Sequence, residues 1–422
     1  MQVSADIAPN RPWWAVTMLV GLLVMSLVDR VILSLLVRPL RDSFEISDVQ
    51  FGLLFGTSFA ILYGVIGFPA ARIADTGNRK RLILYGALLW AGCTLASGFA
   101  QSFNQLLLLR AGLALGEAAI FPASHSLVAD LLPRERRSLA ASIVAAAPFL
   151  GVAITYMGGG VLVEAIESHV AAGGGGGLEA WRLALILASL PTFALTLLFA
   201  ATFTEPARRR EAPLISDRPT TGILTMVPFF LPLVVGAGAP MIIAAGYAAW
   251  APETLRTEYG LSLRAAGAWF GIVAAAGPIV GSLLLPELVR RQKNRPFVEA
   301  LLRVCTVAVV LGMTIFIAAP LQPEPAVLLV GYLFGAILMF GAYSTVIVSM
   351  QYIAPQSFRA TLVASTTFIG SGIGLSVGPP LVAVLKEQFV GTYSDALVWT
   401  AVLAGLISIA AFLVARRASH NL

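Results

Sequence analysis

Apolar runs long enough to cross a bilayer dominate this chain. Crossing about 30 Å of hydrocarbon takes about 20 helical residues. Runs of that kind fall at roughly 13–36, 48–71, 82–101, 105–128, 138–163 and 181–203, and again at roughly 223–250, 264–286, 297–319, 326–350, 361–385 and 396–415. An arginine-rich polar segment, 204–221, separates the two series of six. Only 12% of the residues are charged and 58% are hydrophobic, where a soluble domain carries about 25% charge. Such a chain cannot cover a water-facing surface, so its solvent is lipid. The 39 glycines and 24 prolines fit that solvent, because packed neighbours re-satisfy freed backbone groups and small residues let helices approach. The expectation is an all-α polytopic membrane protein of twelve transmembrane helices in two pseudo-symmetric six-helix bundles. The divisions are an N-terminal bundle at 1–203, a linker at 204–222 and a C-terminal bundle at 223–422.

Basic residues set the orientation. With both termini cytoplasmic, 19 lysines and arginines fall in inside segments and 6 outside, while Arg30, Arg110 and Arg303 lie within the runs. That bias follows the positive-inside rule. The net charge of +6 therefore reports topology and calls for no nucleic acid. Arg303 sits close to the start of its run, where its side chain snorkels to the cytoplasm. The first run is too long for a cleavable leader and lacks a small-residue cleavage site, so it counts as a span. Gly173–Gly177 reads as a flexible outside loop. Basic loops after the second helix of each series, Arg72 to Arg81 and Arg290 to Arg295, agree with an internal duplication.

Cys93 and Cys305 sit in apolar runs of different halves and read as packed thiols. The three histidines, His125, His169 and His420, are too scattered for a metal site. No nucleophile stands with a base at one depth, which argues against a membrane-embedded enzyme. The chain lacks the soluble domains expected of a receptor or scaffold.

Ionisable residues inside a span are costly and are functional candidates by default. Asp29 in the first run and Glu117 in the fourth are the deep carboxylates, accompanied by Arg30 and Arg110. Arg110 and Glu117 are seven residues apart, hence on one helix face and about 10 Å apart along the axis. All four are expected to converge on one aqueous cavity in the N-terminal half. A carboxylate there feels desolvation and a neighbouring arginine in opposition, which suits a group that exchanges protons. The alternative is a permanent ion pair, Asp29 with an arginine, that only holds helices together. The C-terminal spans carry no comparable deep charge. Tyr63, Tyr247, Trp250, Phe340, Tyr343 and Phe368 are the candidate cavity aromatics, with helix packing as the alternative for each. A cavity charged on one wall and apolar on the other suits an amphiphile with an ionic head.

The stretch from Ala71 to Lys80, with Asp75, Arg79 and Lys80, resembles the signature loop of the major facilitator superfamily. Ala71 stands where that pattern has glycine, and Thr76 where it has its first arginine. Val28-Asp29-Arg30 in the first run resembles the bacterial Spinster-type branch. So do Arg110 with Gly116-Glu117-Ala118 and Pro122, the Leu127 to Leu131 stretch with Asp130, and Pro355 with Arg359 leading to Gly378-Pro379. The resemblance implies the major facilitator fold and a proton-linked rocker-switch transporter of lipid-like or other amphiphilic organic molecules. Eukaryotic members of the branch carry lysophospholipids and sphingosine phosphate. It assigns Asp29, Arg30 and Glu117 to a charged cavity with Arg110 as their partner, and Asp75, Arg79, Lys80 and Asp130 to a cytoplasmic gate. Asp75 is expected to meet the amino end of the eleventh helix near Ser357. The missing arginine at position 76 implies a weaker latch. Ala147-Pro148 with Gly151 resembles an antiporter pattern faintly, and a proline kink explains it equally.

The expected function is proton-coupled transport of an amphiphilic, anionic organic molecule. A small-carboxylate symporter and a proton-independent uniporter are the alternatives. No cofactor is expected beyond the proton gradient. The expected partners are the substrate and the bilayer of a bacterial inner membrane, for a monomer without nucleic acid.

Overall fold

The computed structural model describes residues 12–208, 223–354, 362 and 366–419, with the backbone alone at 68, 134, 138, 223–226, 351, 368, 369 and 371. Helices account for most of it: α1 (Pro12–Leu35), α2 (48–76), α3 (Arg79–Ser97), α4 (Phe103–Leu131), α5 (Arg134–Ala171), α6 (Ala180–Thr202), α7 (223–257), α8 (Leu263–Arg291), α9 (Phe297–Ala318), α10 (Pro325–Ile353), α11 (366–390) and α12 (Tyr393–Ser419). Ten of them are long and apolar enough to cross a membrane. The other two are α3, whose first turn is diluted by Arg79, Lys80 and Arg81, and α11, whose beginning lies partly outside the described residues. Both free thiols are accounted for, Cys305 buried and Cys93 half-buried.

Local sequence explains where several helices begin. Ser47 and Gln50 form a reciprocal capping box at the start of α2, and Asn78, Ser102 and Ser262 accept backbone N–H groups at the starts of α3, α4 and α8. Between α5 and α6, the glycine run turns the chain through positive φ at Gly173, Gly175, Gly176 and Gly177.

One interruption bears on the site. The regular helix of α4 stops at Glu117 and restarts at Ile120. Pro122 has no N–H to give to the carbonyl of Ala118, four residues earlier, and its ring crowds that carbonyl. The break therefore falls immediately after the deep carboxylate.

The first six and last six helices meet along small residues. A Cβ on Gly160 of α5 would lie 2.9 Å from the carbonyl oxygen of Leu263 in α8, and one on Gly52 of α2 would lie 2.8 Å from Pro380 Cα in α11. Such contacts need glycine, because association in lipid rests on close van der Waals approach. Where α2 and α11 cross, both depart from regular geometry, through a π turn at Leu53–Thr57 and others at Phe368–Ile373 and Lys386–Val390. Thr57 Oγ1 donates to the carbonyl of Ser376 at 2.7 Å across that crossing.

Candidate functional site

Asp29 and Arg30 lie one turn before α1 tightens into a 3-10 segment at Ile32–Leu35. Being adjacent, they point apart. Arg30 Nη2 donates to Glu117 Oε2 at 2.5 Å, so the fourth helix is clamped to the first by an ion pair. The guanidinium also sits 3.8 Å from the centroid of the Phe59 ring and 5.4 Å from that of Tyr63, which stack on each other along α2. Cation–π contacts of this kind contribute about 0.5–2 kcal/mol and hold the fork in one plane. Asp29 turns the other way and accepts from Thr192 Oγ1 of α6 at 3.0 Å.

Arg110 is not the partner of Glu117, contrary to the shared-face reading. Its Nη1 donates to the backbone carbonyl of Asp29 at 2.7 Å. Three of the four charges are shut away: Asp29 and Glu117 are fully buried and Arg110 is 2% exposed. Convergence on one open cavity is therefore corrected. Only Arg30 reaches the cavity, and Glu117, Asp29 and Arg110 stand behind it. Glu117 Oε1, Arg30 Nε and Arg110 Nε and Nη2 make no hydrogen bond among the described residues.

The cavity measures about 250 Å³ and lies between the two sets of six helices. Phe55, Phe149, Tyr156, Tyr332, Phe340 and Tyr343 line it together with alanines and leucines, and among the described residues Arg30 is its single charged lining residue. Phe149 and Phe340 meet edge to face across it at 6.2 Å. Of the anticipated aromatics, Phe340 and Tyr343 line the cavity, and Tyr63 flanks Arg30. Tyr247 does not line it: its ring packs against Phe316 and Tyr332 and its hydroxyl donates to the carbonyl of Phe316. Trp250 is likewise a packing residue, donating to the carbonyl of Pro379 at 2.8 Å. The side chain of Phe368 lies outside the described residues. Tyr156 and Tyr332 were missed because each sits in an otherwise ordinary apolar run.

At the linker end, Arg79 is fully buried and pairs with Asp130 of α4, and its Nε donates to Glu205 at 2.8 Å. Glu205 also accepts the backbone N–H of Lys80 at 2.7 Å, while Lys80 Nζ donates to the carbonyl of Ala200 at 2.8 Å. These contacts stay within the first six helices and the start of the linker. Asp75 is exposed, and its expected counterpart near Ser357 lies outside the described residues. The loop does not lack a guanidinium despite Thr76. Arg208 donates to the carbonyls of Ala74 at 2.8 Å, Gly77 at 2.6 Å and also Asp75, so it caps the end of α2 from the linker. Arg79→Ala strands two carboxylates at one spot. The expected cost is about 3 kcal/mol, at the low end for a broken buried pair because Asp130 and Glu205 keep some solvent contact. It would be read as a lowered thermal unfolding midpoint in detergent, and an unchanged midpoint would contradict it.

The end opposite the linker carries a cluster that sequence reasoning left unassigned. Asp48, fully buried at the start of α2, receives Arg41 Nη1 at 2.6 Å and Lys386 Nζ of α11 at 2.6 Å. Its backbone N–H donates to Glu387 Oε1 at 2.5 Å. Together with Tyr156 of α5, whose hydroxyl donates to the carbonyl of Ala248 in α7, these contacts tie helices before the linker to helices after it. Their charges lie at predicted helix ends, where sequence marks them only as loop charges.

A charged group facing an apolar cavity among membrane-length helices is the arrangement of a transport site. The chain belongs to the Major Facilitator Superfamily, whose sequence profile matches residues 18–379. Among relatives, an MFS-type efflux pump of Mycolicibacterium smegmatis is 29% identical over 384 residues, covering 90% of this chain and 86% of that one. Human protein spinster homolog 1 is 25% identical over 417 residues, covering 92% and 75%. The fold resembles the crystal structure of a bacterial homolog of the human lysosomal transporter Spinster, with a TM-score of 0.83 and 24% identity over 99% of this chain and 98% of that one. The protein is thus an integral membrane transporter of this superfamily, similar to Spinster proteins.

Proposed function

We propose that the chain is a proton-coupled secondary active transporter of an amphiphilic, lipid-like anion, with Arg30 as the group that substrate and proton site share. One observation carries this reading. Among the described residues Arg30 is the sole charge on the wall of an apolar cavity, and the same guanidinium is paired with the buried Glu117. An anionic headgroup entering the cavity competes with Glu117 for that guanidinium. Protonating Glu117 neutralises it and releases Arg30 to the headgroup, while the aromatic wall takes the apolar tail.

In this reading α3 and α11 complete twelve spans, both termini are cytoplasmic, and residues 1–203 and 223–422 rock about the cavity as two bundles joined by 204–222. The basic residues at the linker end support that orientation, with a bacterial inner membrane as the setting. The protein works as a monomer, without a cofactor, on the proton gradient.

The test uses the purified protein with a series of lysophospholipids and, beside them, small dicarboxylates. Thermal stabilisation is measured at two pH values, followed by flux of the best ligand in proteoliposomes under an imposed pH gradient. Stabilisation by the amphiphiles and gradient-dependent flux are expected. Stabilisation by the dicarboxylates alone would sink the lipid-like substrate, and flux indifferent to the gradient would sink proton coupling.

A further inference from the structure

At the linker end of α8 and α9, a groove of about 720 Å³ opens outward. Its walls are Leu285 and Leu288 of α8, Val307 and Leu311 of α9 and Leu338 of α10. Leu288, Val307 and Leu311 are 41%, 51% and 51% exposed, so the wall faces what surrounds the helices. In a membrane transporter that is acyl chain. The mouth is basic: Arg291, Lys293, Arg295 and Arg303 all line it.

The charges do not cancel. Between residues 287 and 303 stand five basic residues, Arg290, Arg291, Lys293, Arg295 and Arg303, against two acidic ones, Glu287 and Glu299. Glu287 is shared by Arg290 and Arg291 at 2.6 and 2.9 Å, and Glu299 is taken by Arg295. Among the described residues, Lys293 and Arg303 have no carboxylate partner. Arg303 stands six residues into α9, about 9 Å below its start, and the apolar wall continues about 12 Å further to Leu311. A cation left without a counter-ion at that depth, with open apolar wall beneath it, has the shape of a lipid rather than of a soluble anion.

We propose that this groove is a binding site for an anionic phospholipid of the surrounding bilayer, its phosphate held by Lys293 and Arg303 and an acyl chain lying along Leu288, Val307 and Leu311. The surplus charge sets the sign of the headgroup, and the exposed wall selects a lipid over free phosphate. The site is separate from the transport cavity, shares no lining residue with it, and does not depend on what is transported.

Native mass spectrometry of the full-length protein, with phosphatidylglycerol and phosphatidylcholine in equal amounts, tests the site. Preferential retention of phosphatidylglycerol is expected, falling about fivefold for each positive charge removed. Lys293→Gln changes an exposed loop residue and leaves folding untouched, so it protects the result if Arg303→Gln fails to fold. Added salt should weaken retention. Equal retention of both lipids, or unchanged preference in Lys293→Gln, would overturn the proposal. Glycerol phosphate competing as well as the intact lipid would overturn it too, since the apolar wall would then contribute nothing.

Discussion

Replacing Glu117 by glutamine is expected to bring gradient-driven flux down to the level of protein-free vesicles while leaving substrate binding in place. Glutamine keeps the shape of the side chain and removes the one carboxylate paired with Arg30 among the described residues. On the proposed mechanism, a headgroup entering the wild type displaces Glu117 or waits for it to be protonated. In the variant the guanidinium has no anionic competitor, so affinity for an anionic amphiphile rises and loses its dependence on pH. Exchange of labelled for unlabelled substrate, which needs no net proton movement, should persist. That combination separates uncoupling from misfolding, which would abolish binding and exchange together. Undiminished gradient-driven flux in Glu117→Gln would remove Glu117 from the coupling mechanism.

Asp48→Asn is expected to open the end opposite the linker. The Asp48 carboxylate holds Arg41 and Lys386 together, and with its charge removed those two cations face each other across the junction of α2 and α11. Removing one partner of a buried pair costs about 3–5 kcal/mol. Lys386 keeps some solvent contact, so the lower figure applies, equivalent to about a hundredfold in the ratio of closed to open states. When the end opens, each cation regains water, and the penalty therefore falls on the closed state. Spin labels at Asp42→Cys and Gln322→Cys, in a background without Cys93 and Cys305, should report a longer distance in Asp48→Asn. A distance distribution matching that of the parent would contradict the assignment of Asp48 as a seal.

Hydropathy made the lipid-facing architecture legible because a span must satisfy its own backbone, and only long apolar helices do so. It was weaker for α3, where Arg79, Lys80 and Arg81 occupy the first turn. Deep charge likewise exposed the site, since Asp29, Arg30, Arg110 and Glu117 stand out against apolar runs. Their pairing was not legible. Helical spacing relates residues on one helix, so it could link Arg110 to Glu117 but could not bring Arg30 of α1 to Glu117 of α4. Nor could it show Arg110 reaching a backbone carbonyl, because every residue has one. Tyr247 and Phe340 look alike in sequence, and only the packing of α7 against Phe316 and Tyr332 separates the buried ring from the cavity ring. Arg208 was hidden by register: the guanidinium expected at position 76 arrives from the linker instead.

The break in α4 after Glu117 bears on timing. That helix holds Glu117, the carboxylate proposed here for coupling, in one segment and Asp130, the partner of Arg79, in the next. A single stiff rod would make any shift at Glu117 tug on the Arg79 cluster in the same instant. With a missing hydrogen bond at Ala118, the joint behaves as a clutch. On the proposed mechanism the segment with Glu117 follows its own proton while the segment with Asp130 stays engaged, so loading and unlocking become successive events, with room between them for a state closed at both ends.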